Sequence, residues 1–195
     1  MIVDIDDPFP RDALLAAGSR RLAERAAAGS HDAWEQIFRS IYPRLRGYAA
    51  RRVGDDVADD IVSETMTRAI ANIAKFRPTD AGMDPWLFGI ARRVAADHHR
   101  QANRRRTAAS SIATPSGAGP AELAETRDEH ATLRAEFDQL PAGDRELLEL
   151  RVVAGLSPDD VAAVLGKRPG AVRTAQSRAL GRLRTRLARR EGGGS

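Results

Sequence analysis

An all-α fold of two small helical domains is what this sequence predicts, and three observations carry it. Apolar residues recur three and four apart in one segment after another, and no segment gives a strand or hairpin signal. Past the middle of the chain the stretch SSIATPSGAGPAE interrupts the helical pattern with small polar residues, Gly and Pro, the composition of a flexible linker. At 195 residues the chain is long enough for one domain or two small ones, and 42% apolar with 5% aromatic residues suits a soluble protein with helical cores.

The elements follow in order. HDAWEQIFRSIYPRLRGYAARRV spaces Trp34, Ile37, Phe38, Ile41, Leu45 and Tyr48 into one apolar stripe. After a turn at Gly54, a second helix opens on Asp55 and Asp56, acids suited to the positive end of a helix dipole, and carries Val57, Ile61, Met66, Ala69, Ile70 and Ile73 on one side. KFRPTDAGMD is a loop by its Pro78, Asp80 and Gly82. Asp84 and Pro85 then supply an N-cap and a first-turn proline for a third helix, whose Leu87, Ile90, Ala91 and Val94 face inward. Periodicity fails from Arg104 to about Thr126. Beyond it come a helix around Glu129 to Gln139, the break LPAGD, a helix around Arg145 to Val153, and two more. The expected organisation is an N-terminal tail at 1–20, a first domain at 21–106, a linker at 107–128, a second domain at 129–190 and a Gly-rich tail at 191–195.

Charge is sorted along the chain. Lys and Arg number 31 against 27 Asp and Glu, a net charge of +4 that points to no partner by itself. Acids, however, crowd Asp55 to Glu64 and Glu122 to Glu149, while bases dominate Arg92 to Arg106 and nearly everything after Lys167. Cysteine is absent, which removes disulfides, thiolate metal sites and cysteine nucleophiles and fits a reducing compartment. The start, MIVDIDDPFPRD, lacks the positive region of a signal peptide, and no apolar run nears the roughly 18 residues of a membrane span. A cytoplasmic chain, not itself embedded in membrane, is the expectation.

The second domain holds the sharpest motif. In GLSPDDVAAVLG, Ser157 caps a helix with Pro158 in its first turn and Asp160 three residues on, a variant of the capping box. The turn KRPG leads into a helix whose Val172, Ala179, Leu180, Leu183 and Leu187 share one side. Two helices joined by a tight Gly-containing turn make a helix-turn-helix. At about 100° per residue, Arg173, Thr174, Ser177, Arg178 and Arg182 gather on the opposite arc with Gln176 near its edge. Arg pairs two donors with guanine, Gln matches adenine, and Ser and Thr serve several base edges. A basic surface helix explains the arginines equally well, but not the capped helix and tight turn before them.

YPRLRGYAARRVGDDVADDIVSETMTRAI, then KFRP, then PWLFGIARRVAADHHR, a loose linker and LPAGDRELLELRVVAGLSPDDVAAVLG together resemble the extracytoplasmic-function (ECF) group of bacterial RNA polymerase sigma factors. The resemblance covers about Arg21 to Leu187, and the order of the motifs carries it. It implies that 21–106 is sigma domain two, docking on the β′ clamp helices of core polymerase and handling the −10 promoter element. It likewise implies that 129–190 is domain four, which reads the −35 element and adjoins the β flap. Asp56, Asp59, Asp60 and Glu64 are then the core-docking acids; a solvated first turn favoured by the helix dipole would place acids there too. For the −10 element the resemblance points to Arg77, Thr79, Asp80 and Met83 as a base pocket, with Trp86 either stacking on a base or buried. Arg92, Arg93, His99 and Arg100 would make contacts to phosphate. For the −35 element it points to Arg168, Arg173, Thr174, Gln176, Ser177, Arg178 and Arg182. An anti-sigma factor is the implied regulator, and when bound to polymerase the chain would sit on the nucleoid.

Three positions depart from the family pattern. Arg168 stands where a Ser or Thr cap is usual, Ala175 replaces an arginine, and Ser63 stands where glutamine is common, so no −35 sequence carries over from relatives. No metal or cofactor site and no small-molecule substrate is expected. An enzyme finds no support, since no P-loop, G-x-S-x-G or H-E-x-x-H is present. The rival reading is a stand-alone helix-turn-helix regulator on a palindromic operator.

Overall fold

The computed structural model describes residues 13–108 and 124–191, with side chains over 17–105 and 131–190. The expected linker core, most of the N-terminal tail and the Gly-rich end lie outside the described residues. Everything described is helix, turn or loop. The first half holds α1 (Ala13–Ala27), α2 (His31–Val53), α3 (Ala58–Ala71), a 3₁₀ turn at Ile73–Lys75 and α4 (Asp84–Ala108). The second holds α5 (Ala124–Asp138), α6 (Ala142–Leu148), a π-helical stretch at Glu149–Val153, α7 (Pro158–Leu165) and α8 (Pro169–Glu191).

In the first domain α2 packs against α1, α3 and α4, and α3 against α4. Ile37, Ile41, Leu45 and Tyr48 of α2 are buried at the expected spacing, and α4 adds Leu87, Ile90, Ala91 and Val94. Phe88, unmentioned in the sequence pattern, is fully buried and meets Tyr48 edge to face at 5.6 Å. Two apolar residues leave the expected stripes: Phe38 is 38% exposed and Ile70 55%. The start of α1 overlaps the expected tail, and its later half, inside the expected first domain, packs on the core through Leu22, Ala23 and Ala26.

Helix ends follow capping chemistry with small shifts. Ser30 Oγ accepts from Ala33 N to start α2. At Gly54, φ is +99° and a Cβ would come within 2.7 Å of Asp56 Oδ1, so only glycine suits that turn. Asp55 and Asp56 lie in the turn before α3 rather than inside it. Asp84 is the first helical residue of α4 instead of its cap, the Met83 carbonyl accepting from Leu87 N, and its carboxylate takes Arg44 at 2.6 Å.

In the second domain α5, α6 and α7 all pack on α8. The capping box forms in full: Ser157 Oγ accepts from Asp160 N at 3.1 Å, and Asp160 Oδ2 from Ser157 N at 3.2 Å. Gly166 ends α7 in the left-handed conformation, φ +64°. The π-helical stretch closes through Ala154 N to the Glu149 carbonyl and breaks at Gly155, φ +63°. Its irregular phase turns Arg151 inward, where it donates to Gln176 Oε1 at 2.7 Å, and leaves Val152 73% exposed.

Two stability outcomes follow. Replacing Ser157 by Ala should cost about 1 kcal/mol in urea denaturation, because one half of the capping box is lost. Tyr48 OH is buried without a protein hydrogen-bond partner, and burial pushes its pKa up to about 12. The unfolded phenol ionises near its ordinary value of 10.0 while the folded one stays neutral, so stability is full below pH 10 and falls as pH climbs toward 12. Tyr48→Phe should leave neutral-pH stability unchanged or raised, and should flatten that alkaline loss.

Candidate nucleic-acid interface

Helix α8 is held from behind. Val172 and Ala179 of α8 are fully buried against the second domain, which fixes the rotation of the helix about its axis. That rotation leaves Arg173, Thr174, Ser177, Arg178 and Arg182 exposed on one arc, and Arg168 is exposed just before the helix. Arg168 occupies the position before the helix, where its carbonyl accepts from Val172 N at 3.1 Å, the backbone part of a cap without the side-chain part. Two of the arginines already meet acids: Arg182 pairs with Asp144 at 2.6 Å, and Arg173 lies 3.5 Å from Asp159.

Gln176 departs from the expectation. It is half-buried, and its amide oxygen is engaged by Arg151, whose guanidinium also donates to the Leu156 carbonyl. A buried guanidinium must keep its acceptors, so Gln176 ties α8 to the π-helical stretch instead of presenting both amide groups to adenine.

The loop before α4 and the helix itself divide in the same way. Arg77, Thr79 and Asp80 are exposed, although Asp80 lies 3.3 Å from Arg20 of α1. Met83 is only 3% exposed and belongs to the core, since the turn preceding α4 folds it inward; it does not line a base pocket. Trp86 is half-buried with its ring 5.1 Å from that of Phe76. Along α4, Arg93, His99 and Arg100 are exposed, Arg100 pairing with Asp97. A hydrogen bond from Arg68 first, and Arg100 after it, holds the Asp97 carboxyl below its usual range. His98 is half-buried, not a surface residue. Arg92, its side chain 41% exposed, is already engaged: it pairs with Glu146 of α6 at 2.8 Å.

The acidic set at α3 splits into two kinds. Asp56 and Asp60 are exposed. Asp59 accepts from Tyr42 OH at 2.7 Å, which together with Arg46 lowers its pKa, and Glu64 pairs with Arg68 at 2.7 Å. Four acids read as one docking row thus include two that also brace their own domain.

Sequence reasoning missed the residues that join the domains. Arg44 Nε donates to the Ala154 carbonyl at 2.7 Å. Arg52 reaches Glu146 at 3.2 Å and Glu149 at 3.1 Å, and the Arg51 guanidinium lies 4.8 Å from the Phe137 ring centre. Glu149 is 5% exposed, and desolvation raises its pKa against the opposing pull of Arg52. The signal was present in ELLELRVV, where Glu149 and Arg151 interrupt an apolar run at core phase. A Cβ on Gly47 would lie 3.3 Å from Val153, so glycine admits the second domain this close. Between them a cleft of about 520 Å³ is lined by Arg77, Thr79, Trp86 and Arg93 on one side and Asp159 and Val164 on the other.

Comparison with known proteins places this arrangement. Residues 37–105 match Sigma-70 region 2 and residues 130–183 match Sigma-70 region 4. The chain is 35% identical over 170 residues to the ECF RNA polymerase sigma factor SigD of Mycobacterium tuberculosis, covering 83% of this chain and 80% of that one. It is 32% identical to ShbA of Streptomyces griseus, covering 84% and 92%. Among solved structures, CnrH in complex with the cytosolic domain of CnrY matches with a TM-score of 0.65 at 26% identity, over 94% of this chain and 100% of that one. The sigma factor RpoE of Bartonella quintana, in complex with the anti-sigma factor NepR, matches with a TM-score of 0.64 at 26% identity, over 79% and 96%. Two matched regions in sigma order, an exposed basic reading helix and full-length relatives make one conclusion: the chain belongs to the ECF group of RNA polymerase sigma factors.

Proposed function

We propose that this sigma factor directs core polymerase to promoters by reading a −35 element with α8 and holding −10 bases with the loop before α4. The observation that carries the reading is the exposed face of Arg173, Thr174, Ser177 and Arg178, presented by a helix whose opposite side is locked in the core. Thr79, Arg77 and Arg93 border the −10 cleft. Asp56 and Asp60 supply exposed charge for docking on basic residues of core polymerase. The chain acts in the cytoplasm, on the nucleoid when polymerase-bound, carries no catalysis of its own and is held in check by an anti-sigma factor. The resemblance to CnrH with CnrY and to RpoE with NepR supports that last point. Family membership does not favour a stand-alone operator-binding regulator.

Promoter melting is shared with polymerase. Each base-pair step of DNA stacking is worth about 1.4 kcal/mol, more over several pairs than a few stacking contacts on one small domain return.

The chain mixed with core polymerase should start transcription from a promoter selected from a random-sequence pool; tight operator binding without polymerase association would overturn the reading. Arg178→Ala should weaken binding to that promoter by roughly 1–3 kcal/mol and relax preference at one base, whereas Arg184→Ala should weaken all sequences alike. Asp60→Lys should lower affinity for core polymerase about tenfold, or ~1.4 kcal/mol, in competition with the unmodified chain.

A further inference from the structure

Along α8 the arginines fall into two sets. Arg178, Arg182, Arg186 and Arg190 stand four apart, and at about 100° per residue each step of four turns the row by roughly 40°. The row therefore winds from the exposed arc toward the side that buries Val172 and Ala179, where α5 and α6 pack. Arg184 lies off this row, about 20° around the helix from Arg173. Acids line the path of the row. Arg182 brings Nε to 2.6 Å and Nη2 to 2.5 Å of Asp144 Oδ2 on α6. Glu136 of α5 takes Arg186 Nε at 2.9 Å through one oxygen and Arg190 Nη1 at 3.2 Å through the other. Each carboxylate has a side chain only 14% exposed. Leu147 and Leu148 bury α6 in the core, and Arg145 Nη1 donates to the Leu140 carbonyl at 2.9 Å across the turn between α5 and α6, so Asp144 is fixed in place. Arg173 is a contrast, 3.5 Å from an Asp159 whose side chain is 71% exposed: a pair open to water holds its members weakly.

Electrostatics gives these acids a task besides bracing. Sequence-independent affinity for DNA comes from cations that displace counterions at phosphates, each such contact adding about −0.9 to the slope of log K against log salt. A guanidinium backed by a fixed carboxylate brings little net charge to a phosphate and displaces little. Two acids thereby offset most of the charge of three arginines, while Arg173 and Arg178 keep theirs facing outward. Contacts to phosphate are shared by every sequence, so suppressing them widens the margin between a matched site and the rest of the DNA.

We propose that Asp144 and Glu136 are specificity-determining residues of the DNA contact: by neutralising Arg182, Arg186 and Arg190 they keep that row from the phosphate backbone, so that binding depends on the base-facing residues at the start of α8. The proposal rests on the −35 reading and adds how binding to other sequences is limited. Arg182 then belongs to the bracing of α8 on α6 and not to the −35 contact.

Asp144→Asn and Glu136→Gln keep the side-chain shape and remove the charge. In each variant the full chain should bind a duplex of arbitrary sequence about fivefold more tightly at roughly 50 mM sodium chloride, and its salt slope should steepen by about 0.9 for each arginine released. With core polymerase, preference for the selected promoter over one with a scrambled −35 element should drop about threefold. Adding Arg182→Gln to Asp144→Asn should return both slope and preference to those of the unmodified chain, a rescue that loss of bracing alone does not allow. An unchanged slope in both variants, each with a native circular dichroism spectrum, would overturn the proposal. So would weaker binding with a shallower slope, which would make Asp144 a residue that aims Arg182 at a phosphate. If the unmodified chain with core polymerase selected no promoter, the −35 reading itself would fall, and with it the specificity role of the two acids.

Discussion

A carboxylate taken out of water needs a matched charge, and the arrangement of this protein turns on meeting that need at Glu146 and Glu149. An unpaired buried carboxylate costs several kcal/mol, so the guanidiniums that meet it fix where its domain sits. Arg52 contacts both acids and Arg92 contacts Glu146, which sets α6 and the π-helical stretch against α2 and α4. Gly47 and Gly155 then matter for a local reason: one lets Val153 approach α2, and the other turns the chain where Arg44 meets the Ala154 carbonyl. Tyr48 lies beneath the same cluster, the Arg52 guanidinium 5.7 Å from its ring centre. The core of domain two and the boundary between domains therefore share side chains.

The reading helix obeys a different constraint, its rotation. Val172 and Ala179 point into domain four, and the left-handed Gly166 and the turn after it aim the start of α8 outward. Arg168 lacks the side-chain oxygen that usually caps such a helix, yet its carbonyl still takes the first helical hydrogen bond. A cation there opposes the positive end of the helix dipole, a local cost.

How much of this was legible depends on the range of the interaction. The capping box at Ser157 and Asp160, the stripe of α2 and the reading arc of α8 were legible because each is set within a few residues of its own position. Helix α1 was not, since its fully buried residues, Ala23 and Ala26, are small, with Leu22 packed beside them. Met83 and Gln176 were misplaced for a related reason: both look available on their own segments, and each is claimed by a partner set elsewhere, the core below α4 in one case and Arg151 in the other. Arg92 falls between these, with its exposure on α4 read correctly from periodicity and its partner 54 residues away beyond reach of any local rule.

The boundary between the domains mixes ion pairs with apolar contact: one core cluster runs through both halves, and Val153 packs over Gly47 of α2. Replacing buried ion pairs by well-packed apolar residues is often neutral or stabilising by about 1–4 kcal/mol, so charge at an interface is a poor way to make it permanent. What paired charge adds is orientation, since Arg52 must meet Glu146 and Glu149 together while Arg92 meets Glu146. The loop before α4 lies at the same boundary, where Trp86 meets the buried Phe76 at a tilt of 48°, ring centres 5.1 Å apart, beside Asp159 and Val164 of α7.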